Sequence, residues 1–246
     1  MNLINKKILT TSPVYNFVVG NFKQSKIYWR YRHLIDRKCW DIPENNSSDE
    51  SRFVYSELTK QYSLKYFFEF GCGSAANCKI IQENSSEDII YLGYDISKAA
   101  LRAARKSFPG ENTKFFNKIS REILLDSLNI YGAESFDCAL FDNVLYNLSE
   151  GDLRKHLEGF SSLYRYILIN DFHRPGMNLK QGKNLEYPFG TYAAYKMKDY
   201  IKLLSEFGFD LLLAQKTEES SSERYFRDNA YLLFFQNSNK ISSTHS

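Results

Sequence analysis

The 246-residue chain has no apolar run approaching the roughly 18 residues that span a bilayer. Its first twenty residues, MNLINKKILTTSPVYNFVVG, lack the continuous apolar stretch and small-residue cleavage site of a secretory signal. No membrane role is expected, and the cytoplasm follows by elimination. Cysteine is sparse: Cys39, Cys72, Cys78 and Cys138 show no paired spacing, which excludes a disulfide framework and leaves reduced thiols as the expectation. Neither sign of charge prevails, with 32 basic against 29 acidic residues and a net charge of +3. A chain so balanced projects no long-range field, so nucleic acid is not favoured as a partner. The densest mixture of basic and aromatic side chains, Lys23 to Lys38, reads as a helix with a solvated basic face. There is no internal repeat.

What is present is enough apolar material for a packed core: 43% of residues are hydrophobic and 16% aromatic. The chain alternates strand and helix signals. Strands are expected at Leu64 to Phe70, Ile89 to Tyr94, Thr113 to Asn117, Phe136 to Phe141 and Tyr166 to Asn170. Helices are expected at Ala75 to Glu83, Ser97 to Phe108 (with Ser97 as N-cap), Arg121 to Ile130 and Gly151 to Phe160. This rhythm implies right-handed crossovers and a mainly parallel sheet covered on both faces. After a helix from Ala194 to Phe207, the strand-like runs Phe209 to Gln215 and Asn229 to Gln236 have no helix between them, so they should pair antiparallel. The expected organisation is an N-terminal helical extension over residues 1–62, one α/β domain over 63–237 and a polar, fraying tail over 238–246.

Chemistry concentrates where the first strand meets its helix. Glu69, Gly71, Cys72, Gly73 and Ala75 form a glycine-rich bend at the position where open α/β sheets bind nucleotide-like ligands. Bare glycines can adopt positive φ and let the backbone lie against a ligand. Asp95 follows at the tip of the second strand, at the interval that sets a carboxylate over a ribose diol. The bend lacks the Gly-Lys-Ser/Thr ending of a phosphate loop and departs from the G-x-G-x-x-G dinucleotide spacing. Without a ligand, Glu69 could cap neighbouring backbone, and Asp95 could belong only to the start of the next helix.

With these residues the chain resembles the class I S-adenosylmethionine-dependent methyltransferases. Their acidic residue followed by Gly-x-Gly-x-Gly matches Glu69, Gly71 and Gly73, with Ala75 at the third glycine, where a small residue suffices if it only eases helix packing. Their second-strand acid matches Asp95 with Ile96 after it. Their fourth-strand pattern of Phe-Asp, a short apolar run and Val-Leu-x-His-Leu matches Phe136 to Leu148, with Asn147 in place of His. The resemblance implies a Rossmann-like seven-stranded, mostly parallel sheet with an antiparallel C-terminal strand and helices on both faces. It implies S-adenosyl-L-methionine as cofactor: Gly71, Cys72 and Gly73 around the methionine moiety, Glu69 supporting the bend or meeting the amino group, Asp95 on the ribose, Ile96 on the adenine face, and Asp142 and Asn143 beside the sulfonium. Asn117 and Ser120 are candidates for the adenine amino group. Trp29, with Tyr28, resembles an aromatic pair that closes the cofactor site, and Arg30 would reach the cofactor carboxylate.

For catalysis the candidates are His173 as general base, with Asp171 orienting it or acting itself. An alternative set of Asp142, Asn170 and Asp171 resembles the oxygen ligands of magnesium-dependent catechol-type enzymes, although no metal is assigned. The segment from Pro175 to Tyr195, rich in Gly, Pro and Tyr, reads as a lid that selects the acceptor. A small-molecule or glycan acceptor is expected. The alternatives are a protein or RNA methyltransferase, weakened by the lack of an Asn/Asp-Pro-Pro-Tyr/Phe run, and a non-catalytic scaffold that keeps the fold. Nothing in the sequence bears on oligomeric state.

Overall fold

A computed structural model describes residues 29–30, 53–85, 88–173, 198–217 and 230–241. Helix α1 (Phe53–Gln61) leads into β1 (Tyr66–Phe70), α2 (Ala76–Asn84), β2 (Ile90–Tyr94), α3 (Lys98–Ser107), β3 (Thr113–Phe116), α4 (Arg121–Ile130) and β4 (Phe136–Asp142). A 3-10 turn at Leu145–Asn147 precedes α5 (Glu150–Phe160), β5 (Tyr164–Phe172), α6 (Tyr200–Ser205), β6 (Phe209–Lys216), β7 (Ala230–Asn237) and α7 (Ser238–Ile241). The strands form one sheet in the order β3-β2-β1-β4-β5-β7-β6. β7 runs antiparallel to both β5 and β6, and the other pairings are parallel. The expected crossover sheet with its closing hairpin is therefore present.

Local chemistry explains the boundaries. Ser97 Oγ accepts from the Ala100 N–H at 3.3 Å and Ser120 Oγ from the Ile123 N–H at 3.3 Å, each satisfying a first-turn donor of its helix. At the opposite end of the sheet, Asp137 Oδ2 accepts from the backbone N–H of Lys65 and Tyr66, at 2.8 and 3.0 Å, and so ties the start of β4 to β1. Each sheet face carries its own apolar cluster. Phe68, Phe141, Leu157 and Tyr200 belong to one, and Phe67, Tyr91, Leu101 and Phe234 to the other. Among the described residues no helix is long and apolar enough to cross a membrane.

Three expectations are corrected. β5 does not stop at Asn170 but continues through Phe172, because Asp171 and Phe172 pair with Tyr231 and Ala230 of β7. The helix expected to reach Phe207 begins only at Tyr200, where Asp199 caps it by accepting from the Lys202 N–H at 3.1 Å. The tail does not fray at its start, since Ser238–Ile241 form α7 and Ser238 Oγ bonds Asp210. Most of the N-terminal extension, the expected lid and the last five residues lie outside the described residues.

A buried histidine gives the fold a pH dependence. His156 of α5 lies among Phe70, Phe141, Phe160 and Tyr164, with Nε2 3.1 Å from Tyr164 Oη. Burial pushes its pKa down to about 4. Below its ordinary value of about 6.5 the unfolded chain takes up a proton that the folded chain refuses, so stability is lost as pH falls through that window, by about 3 kcal/mol in total. Denaturant titrations of wild type and His156→Phe should converge in pH dependence above pH 7 and diverge between pH 6.5 and 4, with the variant less acid-sensitive. Parallel curves would assign the acid sensitivity to other groups.

Candidate active site

The bend after β1 is built from alternating left-handed residues: φ is 82° at Gly71, 53° at Gly73 and 68° at Ala75. Its backbone is held to β2 by the N–H groups of Gly71 and Cys72, which donate to Tyr94 O at 2.7 and 3.0 Å. A Cβ on Gly71 would lie 2.6 Å from Val144 Cγ2, so this glycine is needed for packing. A Cβ on Gly73 would meet nothing within 4 Å, so its bare face opens onto free space. Ala75 departs from expectation. Its position requires the left-handed conformation itself, which an alanine adopts at a cost of about 1 kcal/mol, and is not merely a place for a small packing residue.

Asp95 closes over this bend. Its Oδ2 accepts from the Gly73 N–H at 3.0 Å and its Oδ1 from the Ser97 N–H at 2.7 Å. A carboxylate offers about four lone-pair sites, so each oxygen keeps one for an outside donor. Burial pushes the Asp95 pKa up to about 6, against the pull of the two backbone N–H groups. Ile96 beside it is half-buried. Cys72 is buried, and its Sγ occupies the space that a side chain on Gly93 would need, at 2.7 Å from a Cβ built there.

A second group of polar side chains lies at the ends of β1, β4 and β5. Glu69 is 2% exposed and accepts from Tyr91 Oη and from Asn77 Nδ2, the latter at 2.9 Å. The same Asn77 nitrogen donates to Asp142 Oδ2 at 2.8 Å, while Asp142 Oδ1 accepts from Asn170 Nδ2 and Asn143 Nδ2 at 2.9 and 3.0 Å. Asp142 is the last residue of β4, not a residue beyond it, and Asn143 turns the chain at φ 51°. The structure thus gathers Glu69, Gly71, Cys72, Gly73, Asp95, Asp142 and Asn143 along one sheet edge. Trp29 and Arg30 are helical; burial and the Asp95 charge raise the Tyr94 pKa, and the nearby Arg30 charge opposes them. Ser120 is used as a helix cap, and Asn117 is exposed.

Asp171 and His173, the expected catalytic pair, both accept from backbone N–H groups. Asp171 Oδ2 accepts from the N–H groups of Leu145 and Tyr146 at 2.7 and 3.3 Å, and its Oδ1 from that of Phe172 at 2.7 Å. Burial raises its pKa, opposed by the Phe172 N–H, the Lys198 charge and the N–H groups of Leu145 and Tyr146. Its geometry is that of a carboxylate capping the turn after β4. His173 is 1% exposed, and its Nδ1 accepts from the Tyr200 N–H at 3.3 Å. A neutral ring accepting at Nδ1 would carry its proton on Nε2, which is buried and meets no hydrogen-bond partner among the described residues. Burial lowers the His173 pKa, which favours this neutral form. The alternative oxygen set does not converge either: Asn170 turns its nitrogen to Asp142, and Asp171 faces the backbone.

No sequence signal marks Asn77 or Tyr91 as members of the site. Gly93 carried one, since an isolated glycine inside a strand denotes close approach.

Residues 68–165 match the family described as "Methyltransferase domain". The matched segment takes in the glycine bend and the β2 carboxylate. The chain carries a class I S-adenosylmethionine-dependent methyltransferase domain. Solved structures of the same fold include the magnesium protoporphyrin IX methyltransferase ChlM of Synechocystis PCC 6803 with bound SAM, at 13% identity and TM-score 0.54 over 90% of this chain and 96% of that one. The pyocyanin biosynthetic protein PhzM aligns at 12% identity and TM-score 0.56 over 95% and 70%. A SAM-dependent methyltransferase from Aquifex aeolicus aligns at 12% identity and TM-score 0.51 over 80% and 94%. A comparison with curated proteins gave no match.

Proposed function

We propose that this methyltransferase acts on a small-molecule or glycan acceptor, at oxygen or nitrogen, with its cofactor held along the edge from Asp95 to Asp142. The observation that carries the cofactor site is the Asp95 clasp: two backbone N–H groups orient the carboxylate and leave one lone pair per oxygen, beside the open face of Gly73. When bound, S-adenosylmethionine would supply a sulfonium methyl group for transfer to the acceptor atom, with S-adenosylhomocysteine as the leaving group. Asp95 holds the ribose hydroxyls and Ile96 covers the adenine. Glu69, with the backbone at Gly71, Cys72 and Gly73, borders the methionine end, Asp142 and Asn143 stand nearest the acceptor, and Trp29 and Arg30 close the near side. Positioning supplies most of what such a transfer requires. His173 and Asp171 shape the acceptor end of the sheet by holding backbone.

The small-molecule reading is supported by the balanced charge and by fold neighbours described as acting on magnesium protoporphyrin IX and in pyocyanin biosynthesis. The test uses methyl-labelled S-adenosylmethionine with a cell extract separated by size. Label should appear in the low-mass or glycan fraction. Label confined to protein or RNA would overturn the acceptor assignment, and calorimetric titration showing no binding of S-adenosylhomocysteine would favour a scaffold.

A further inference from the structure

We propose that Asn77 is the positioning residue for the amino-acid end of the cofactor, an assignment that rests on the cofactor site proposed above. Asn77 stands in the first turn of α2, is 3% exposed and belongs to no recognised motif. Its amide nitrogen donates to Glu69 Oε1 at 2.9 Å and to Asp142 Oδ2 at 2.8 Å, so each of its two N–H bonds is committed to a different carboxylate. Those carboxylates belong to β1 and β4, the neighbouring strands between which the strand order reverses. In open α/β sheets the ligand crevice opens at that reversal, outside the carboxyl ends of the strands. One side chain therefore ties together the two walls of the crevice.

The orientation of the amide is forced. Asn77 Oδ1 is buried and accepts no hydrogen bond, yet a flipped amide would set that oxygen against two carboxylates at under 3 Å. This orientation directs both amide N–H bonds to the two carboxylates. Backbone geometry sets the clamp at both ends: left-handed Ala75 aims the start of α2, and left-handed Asn143 follows Asp142. The adenosine end is held by other residues, Asp95 with the N–H groups of Gly73 and Ser97. Asn77 should therefore act on one end of the cofactor and not the other.

Two probes separate the ends. S-adenosylhomocysteine carries the amino acid, whereas methylthioadenosine keeps the adenosine and thioether without it. Calorimetry on Asn77→Leu should show the dissociation constant for S-adenosylhomocysteine raised about tenfold or more, as for lost hydrogen bonds to charged groups. That for methylthioadenosine should stay within about twofold. Asn77→Asp, which replaces the donor by a third carboxylate, should lose more affinity for S-adenosylhomocysteine at pH 8 than at pH 5, relative to wild type at each pH, because its protonated form can still donate once. If Asn77→Leu does not fold, Asn77→Ser and Asn77→Asp provide the same comparison. Equal weakening of both probes, or of neither, overturns the assignment. Failure of wild type to bind either probe overturns the cofactor site itself.

Discussion

Asp95→Ala should weaken S-adenosylhomocysteine binding about a hundredfold, the effect of removing two charge-assisted hydrogen bonds whose donors then lose their acceptor. The size follows from the clasp: the carboxylate is already oriented by Gly73 and Ser97 before a ligand arrives, so little of the interaction is spent on ordering it. Its pKa of about 6 adds a pH signature. A protonated carboxyl loses the charge that strengthens both bonds, so wild-type affinity should fall about tenfold from pH 7 to pH 5, and Asp95→Asn should flatten that dependence. The stability term has the opposite sign. The folded chain takes up this proton near pH 6, whereas the unfolded chain waits until about pH 4, so ionised Asp95 costs stability that acidification restores. Calorimetry across pH on folded variants measures both. Unchanged affinity in Asp95→Ala would remove the carboxylate from the site.

The second prediction separates two glycines that look alike in sequence. Gly71→Ala should destabilise the fold by about 3 kcal/mol, combining a left-handed alanine with overpacking, since its Cβ would stand 2.6 Å from Val144 Cγ2. Gly73→Ala meets no neighbour within 4 Å, so it should cost only about 1 kcal/mol in stability. Its methyl group, however, would enter the space left for the ligand and should lower S-adenosylhomocysteine affinity more than about tenfold. Thermal unfolding and calorimetry on both variants give the contrast, with Gly151→Ala, which also meets nothing and lies on α5, as control. A Gly73→Ala protein that binds as well as wild type would show that the open face is not where the cofactor lies.

The fold was largely legible because its signals are local. Ser97 announces the start of α3, the apolar runs announce β1, β2 and β4, and the missing helix between the last two strands announces the hairpin. Boundaries set by distant partners were not legible. β5 gains Asp171 and Phe172 only because β7 lies alongside, and α6 starts late because Asp199 serves as its cap. The same distinction holds at the site. Glu69, Gly71, Gly73 and Asp95 follow one another at intervals that a strand-turn-helix-strand unit makes meaningful, and they come together as that unit requires.

His173 and Asp171 show the other side. Both residue types suit acid-base chemistry, and both stand near the right sheet edge, but composition cannot say that backbone N–H groups from residues 145, 146, 172 and 200 claim their acceptor atoms. Asn77 is the converse case, an unremarked amide that becomes a junction only when two strands bring their carboxylates to it. The sequence alone determined the class of sheet, the bend of bare backbone and the acid that answers it, because strand period, glycine and the strand-to-strand interval are properties of the chain over short distances. Which polar atoms stay available for a ligand was decided by tertiary structure, because a lone pair or N–H is committed only when packing brings its partner within hydrogen-bond reach.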